Sequence, residues 1–187
     1  MKVFRVIPDV NKFQKLFPRD EGIWATDILN FDCTPKMPDW MPPAVYVLQP
    51  KLKCGNFLGL CASAFVVDRV AHDALSDLFE MSAELLPIGD ASSEQFVVNV
   101  TGCFNVLDDA NTKWVYGAST GAKIRIERYA FHPSRFTEAP LFKIPETSKV
   151  DILTVTGLKD PEDEFKHRVE SAGLTGLLFE EIWSNEK

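Results

Sequence analysis

The sequence predicts an α+β fold: a mostly antiparallel sheet, two principal helices at about residues 69–82 and 161–172, and a proline-rich, irregular N-terminal third. Three observations lead there. Ile124 and Ile126 alternate with Lys123, Arg125 and Glu127, the period of a half-exposed antiparallel strand. Asp68 stands as an N-cap before Val70, Ala71, Ala74, Leu75 and Leu78, which recur at helical spacing. Pro8, Pro18, Pro35, Pro38, Pro42, Pro43 and Pro50 keep long helices out of the N-terminal third.

In chain order, residues 2–7 read as a first strand, and AVYVL at 44–48, bounded by prolines, suits a buried or edge strand. The stretch KLKCGNFLGLCAS at 51–63 is ambiguous. AFVV at 64–67 is a strand that runs directly into the first helix, and Pro87 closes that unit because Leu86 before it is biased away from helical dihedrals. Strand candidates follow at 96–100, extending toward 106, and at 123–131, with Gly117 to Gly121 as a hairpin connection. VDILTVTG is a further strand. Asp160 then caps a helix that has Pro161 in its first position and Glu162, Asp163 and Glu164 near the positive helix end. On that helix Phe165, Val169 and Ala172 share the inner face, while Glu164/Arg168 and Asp163/His167 lie four apart outside. Gly173 stops the helix and Gly176 turns the chain tightly into a closing strand at 177–183.

With 45% apolar residues, 14 phenylalanines and 4 tryptophans, the 187-residue chain can bury a substantial core. We expect one domain, 1–187, of which 1–61 form the N-terminal strand and proline-rich extension. A net charge of −7 and a pI near 5.0 argue against a nucleic-acid binder, whose affinity comes from neutralising phosphates. They suit solubility or a basic protein partner. The first ten residues contain no apolar signal core, and no window reaches the ~20 apolar residues of a membrane span. Cys33, Cys54, Cys61 and Cys103 show neither a CxxC motif nor zinc spacing, which fits reduced thiols in a cytoplasm.

Enzyme chemistry finds little purchase. None of GxSxG, GxxxxGK[ST], HExxH or a GxGxxG leading into a helix is present, and no cofactor or metal motif stands out. His72 and His167 fall on outer helix faces and His132 in a turn-like FHPS. The catalytic alternative is a small thiol-dependent hydrolase with Cys103 as nucleophile and His132 as its base.

A binding surface is easier to draw. Asp73, Asp77, Glu80 and, if the first helix continues, Glu84 fall within one narrow stripe at 100° per residue. Like charges at such spacings repel, and a basic partner would relieve the repulsion; the ordinary alternative is a solvated outer face. Trp40, flanked by Met37 and Met41 in PKMPDWMPP, is a second candidate anchor, unless it covers the core edge.

The ordered blocks AFVVDRVAHDALSDLF, AELLPI, FVVNVTGCFNVLD, RYAFHPSRF, PLFKIP and FKHRVESAGLTGLLFEEI resemble the immunity protein 11 family of bacterial polymorphic toxin systems. The resemblance covers about residues 62–183, so 62–185 is the region that carries it; ELLPI, LFKIP and AGLTGLLFEEI are its most specific parts. It departs at LTVTGLKDPED, a longer approach from strand to helix than in relatives. The resemblance implies a cytoplasmic, non-enzymatic protein that binds and occludes a cognate toxin domain, with no cofactor and no catalytic site. If that toxin is a basic nuclease-like enzyme, acidic residues would stand in for its substrate, Asp73, Asp77 and Glu80 first among them. The remaining alternative is a structural or adaptor protein of a secretion system.

Overall fold

The apolar runs of the sequence become strands in four antiparallel groups. The computed structural model describes residues 1–89 and 94–185, among which lie eleven strands and three α-helices, an α+β fold with mostly antiparallel sheet. A four-stranded sheet forms the centre. Its order is β4 (Phe57–Cys61), β5 (Ala64–Val67), β7 (Gln95–Val100), β6 (Ala83–Ile88). A three-stranded sheet places β1 (Lys2–Pro8) between β10 (Ile152–Thr156) and β11 (Leu177–Ser184). Two ribbons complete the set: β2 (Leu16–Pro18) with β3 (Val45–Val47), and β8 (Lys113–Tyr116) with β9 (Lys123–Arg128).

The central sheet is covered on both faces, which explains why AFVV is buried at every position. On one face Phe57, Phe65, Val67, Val98 and Val100 pack against α1 (Arg69–Ala74), α2 (Ser76–Glu80) and α3 (Phe165–Ser171). Phe165 is fully buried there, with its ring 6.2, 6.4, 6.0 and 6.3 Å from those of Phe57, Phe65, Phe79 and Phe179. Burial of such a ring stabilises the fold by about 2–3 kcal/mol. On the other face Leu58, Leu60, Val66, Leu86, Ile88 and Val97 meet Leu16, Ile23, Leu29 and Phe31 of the proline-rich extension. A third core, with Val3, Leu153, Val155, Phe131, Phe142 and Trp183, fills the far side of the three-stranded sheet. Pro87 is tolerated inside β6 because that strand lies at the sheet edge.

Several boundaries differ from the sequence expectation. The first helix does not run to 82. Leu75, at φ −127° and ψ 16°, breaks it into α1 and α2, and the chain enters β6 at Ala83. The second helix is likewise split: Asp160 caps a single 3-10 turn, Pro161–Asp163, and α3 begins only at Phe165. Glu164 lies between them, buried, and its Oε1 accepts from the N–H groups of Gly157 and Leu158 at 2.7 and 2.8 Å. It therefore makes no outer pair with Arg168, and His167 lies nearest Glu162, at 3.7 Å, not Asp163. Ala172 follows the helix and is exposed, so only Phe165 and Val169 form the inner face. The strand at 96–100 does not extend to 106, although Cys103 forms an isolated bridge with Lys143. Of the two β9 isoleucines, Ile126 packs against the third core but Ile124 is 65% exposed.

The closing link follows expectation. Gly173 has φ +65° and ends α3, with Leu174 N–H bonding back to Val169 O at 3.0 Å. Gly176 has φ +114°, and a Cβ there would stand 2.1 Å from Phe57 O. The backbone is pinned on both sides: Phe57 N–H donates to Thr175 O at 3.0 Å and Asp9 N–H to Gly176 O at 2.8 Å.

Candidate partner-binding surfaces

The acidic stripe predicted on the first helix is mostly neutralised. Asp73 accepts from Arg69 Nε at 2.9 Å and faces His72 Nδ1 at 2.8 Å. Asp77 receives both terminal nitrogens of Arg168, at 3.0 and 3.1 Å. Arg69 holds the Asp73 carboxyl below the usual carboxylate range, as Arg168 does that of Asp77. Arg168 also donates to Ala74 O at 2.8 Å, capping the end of α1, so it joins α3 to the α1/α2 break. Glu80 alone of the stripe is exposed without an ion pair among the described residues.

Glu84 is not on a helix. It lies in β6, half-buried, and its carboxylate accepts from Lys36 N at 2.7 Å, Met37 N at 3.4 Å and Asn99 Nδ2 at 2.9 Å. This is a clamp on the proline-rich extension rather than an outward-facing charge. Asn99 Nδ2 also reaches Thr34 O at 3.0 Å, binding the same loop.

Trp40 takes the packing role considered for it. Its Nε1 donates to Pro87 O at 2.7 Å and its ring lies 6.2 Å from Phe31, so it covers the edge of the second core. Beside it is a hollow of about 270 Å³ lined by Asp27, Ile28, Pro35, Lys36, Asp39 and Met41. Met37 is 48% and Met41 72% exposed. Neither Asp27 nor Asp39 forms a side-chain ion pair among the described residues, while Lys36 Nζ is turned to Asp27 O at 2.7 Å.

A larger trough, about 760 Å³, lies between β9 and β11. Arg5 lines it: Nη2 donates to Tyr129 Oη at 2.9 Å, Nη1 is 3.4 Å from Glu180 Oε2, and Nε is 3.5 Å from Asp151 Oδ1. Tyr129 Oη in turn donates to Asp151 at 3.2 Å. Burial of the guanidinium opposes its charge, but Asp151, Tyr129 and Glu180 outweigh it and raise the Arg5 pKa; burial and then Asp151 raise that of Tyr129. Arg5, Val150 and Asp151 also line a neighbouring hollow of about 390 Å³, so the two adjoin. None of this was singled out in the sequence. The available signal was Arg5 itself, the one charge in the run from Val3 to Pro8.

Cys103 and His132 are not brought together as a nucleophile and base. His132 Nδ1 lies 3.9 Å from Asp108, whereas Cys103 neighbours Cys33 and Lys143. Lys143, from the LFKIP block, is wholly buried and donates to Phe31 O at 2.6 Å and Ser63 O at 2.7 Å. Burial lowers its pKa, and burial pushes the Cys33 thiol up to about 11, so that thiol is protonated and a poor nucleophile at neutral pH. All four cysteines are free. Among the described residues no three His, Cys, Asp or Glu side chains converge to hold a metal ion, and no helix is long and apolar enough to cross a membrane.

Compared with known protein families and with curated proteins, the chain has no match.

Proposed function

We propose that this chain is an immunity protein that binds a cognate toxin domain and neutralises it by stoichiometric occlusion, without chemistry of its own. The ordered resemblance over residues 62–183 supports the reading, as does the net charge of −7. The observation that carries it is the surface at Trp40. An aromatic ring held from behind by Pro87 O and Phe31 stands beside two exposed methionines and the unpaired carboxylates of Asp27 and Asp39. A rigid apolar anchor with an acidic rim is the arrangement that gives a basic protein partner both affinity and a fast encounter. Glu80 adds negative charge elsewhere on the surface; Asp73 and Asp77 carry less weight than their spacing suggests, because Arg69 and Arg168 already occupy them.

The test is growth of a host that expresses the toxin domain encoded by the neighbouring reading frame. Co-expression of this chain is expected to restore growth and to yield a complex of fixed stoichiometry. The double substitution Asp27→Asn/Asp39→Asn is expected to weaken that complex by about tenfold and to flatten its salt dependence, since it removes charge from the rim without touching the core. Failure to rescue, with no complex, would overturn the assignment.

A further inference from the structure

We infer that the trough between β9 and β11 receives an extended segment of the protein partner, which adds to β9 as a third strand; the partner is the toxin domain of the reading above, on which this inference rests. The first reason is backbone chemistry. Among the described residues β9 pairs only with β8, and β11 only with β1. Among them, too, no backbone group of another element bonds the outer edge of β9, or of β11 at 180–182. Both edges border the same trough, one along residues 124–128 and the other along 180–182. An unpaired edge presents N–H and C=O groups at strand spacing, and the ligand that satisfies such a row is another extended backbone.

Stability supplies the second reason. A two-stranded ribbon is marginal by itself, and only Trp114 and Ile126 of this one pack against the third core. Ile124 is 65% and Tyr116 55% exposed near its tip, apolar surface of the kind a third strand covers. The six residues of β9 offer about 20 Å of edge, enough for a specific pairing.

Charge identifies the occupant. β8 and β9 bear four cations, Lys113, Lys123, Arg125 and Arg128, against the single carboxylate Glu127, on a chain that is strongly acidic as a whole. Glu127 is taken by Lys113 at 2.7 Å, while Arg125 and Arg128 have no ion pair among the described residues. A second copy pairing β9 to β9 would set these cations against one another, which disfavours self-association at this edge. The opposite wall carries Glu180 and Glu181, which Arg5 and Lys2 already pair at 3.4 and 3.2 Å. The segment that fits therefore has carboxylates opposite Arg125 and Arg128.

Backbone amide exchange on the full chain, free and with the neighbour-encoded toxin domain, tests this. Slowed exchange across 124–128 on binding is expected. The substitution Arg125→Glu/Arg128→Glu is expected to weaken the complex by about tenfold or more and leave the thermal midpoint of the free chain unchanged. A complex that forms while exchange at 124–128 stays as fast as in the free chain would overturn the strand addition and leave the immunity function standing. Absence of any complex, together with absence of rescue, would remove both. The exchange measurement uses the unaltered chain, so it decides the matter even if the doubly substituted variant folds poorly.

Discussion

At Gly176 a single missing Cβ lets two sheets meet. The residue combines φ +114° with the close approach of Phe57 O; Thr175 O before it accepts from Phe57 of β4, and its own carbonyl accepts from Asp9 just past β1. Gly176→Ala must either move that backbone or leave the left-handed region, and either costs several hydrogen bonds. The expected loss is about 3 kcal/mol or more of unfolding free energy, read by denaturant titration; a loss below about 0.5 kcal/mol would mean the link relaxes freely. Lys143 and Glu164 illustrate what individual letters conceal. Each is a charged residue in a segment that reads as apolar strand or polar helix start, and each is buried because backbone groups from elsewhere bond it: two carbonyls for the lysine, two N–H groups for the glutamate.

Helix periodicity located the right segments but not their interruptions. Leu75 lies where the spacing of apolar residues is unbroken, and Glu164 lies just before the first apolar residue of α3, where the N–H groups of Gly157 and Leu158 hold its carboxylate. Arg168 exploits the first break, bonding Ala74 O and Asp77 together, so that α3 staples α1 to α2. Because the folded-state pKa of Asp77 is below its ordinary value, its contribution is fully present above the ordinary carboxylate range and is lost as pH falls through that range and below it. With the Asp77 side chain 59% exposed, the pair is worth less than about 1 kcal/mol. Asp77→Asn is thus expected to lower stability slightly at neutral pH, with the deficit against the parent chain vanishing in acid. Urea titrations at pH 7 and near pH 2 would show it, and an unchanged deficit at low pH would assign the effect to something other than this carboxylate.

Across the whole molecule, the proline-rich extension is held as the second cover of the central sheet by a small number of polar ties. Glu84, Asn99, Lys143 and Trp40 each bond a segment of the extension to the sheet or across its edge. Glu84→Ala removes two of these ties, from Lys36 and Met37 N–H, and with them the bond from Asn99, without emptying the core. The expected result is faster proteolysis near 34–43 and a red shift of Trp40 emission, with the thermal midpoint lowered by about 4 °C. Unchanged proteolysis would show that packing against Phe31 and Leu29 holds the extension unaided.

By itself the sequence determined the fold class, the capping of α1 by Asp68, the hairpin at Gly117 to Gly121 and the helix stop at Gly173. These rest on interactions between residues a few positions apart, as when Asp68 accepts from Ala71 N–H at 2.8 Å. Only the tertiary structure decided which charges are free. Asp77 is paired with Arg168, 91 residues away, Glu84 with a loop 48 residues earlier, and Lys143 with a carbonyl 112 residues earlier. The trough follows the same rule, since β9 and β11 face each other across it through the packing of Arg5, Tyr129 and Asp151. A stripe of like charge in one segment therefore could not reveal the proposed binding surfaces: Arg168 and the 36–37 loop take Asp77 and Glu84, Arg69 one turn away holds Asp73, and the unpaired groups of those surfaces lie on a strand edge and a loop that come together only on folding.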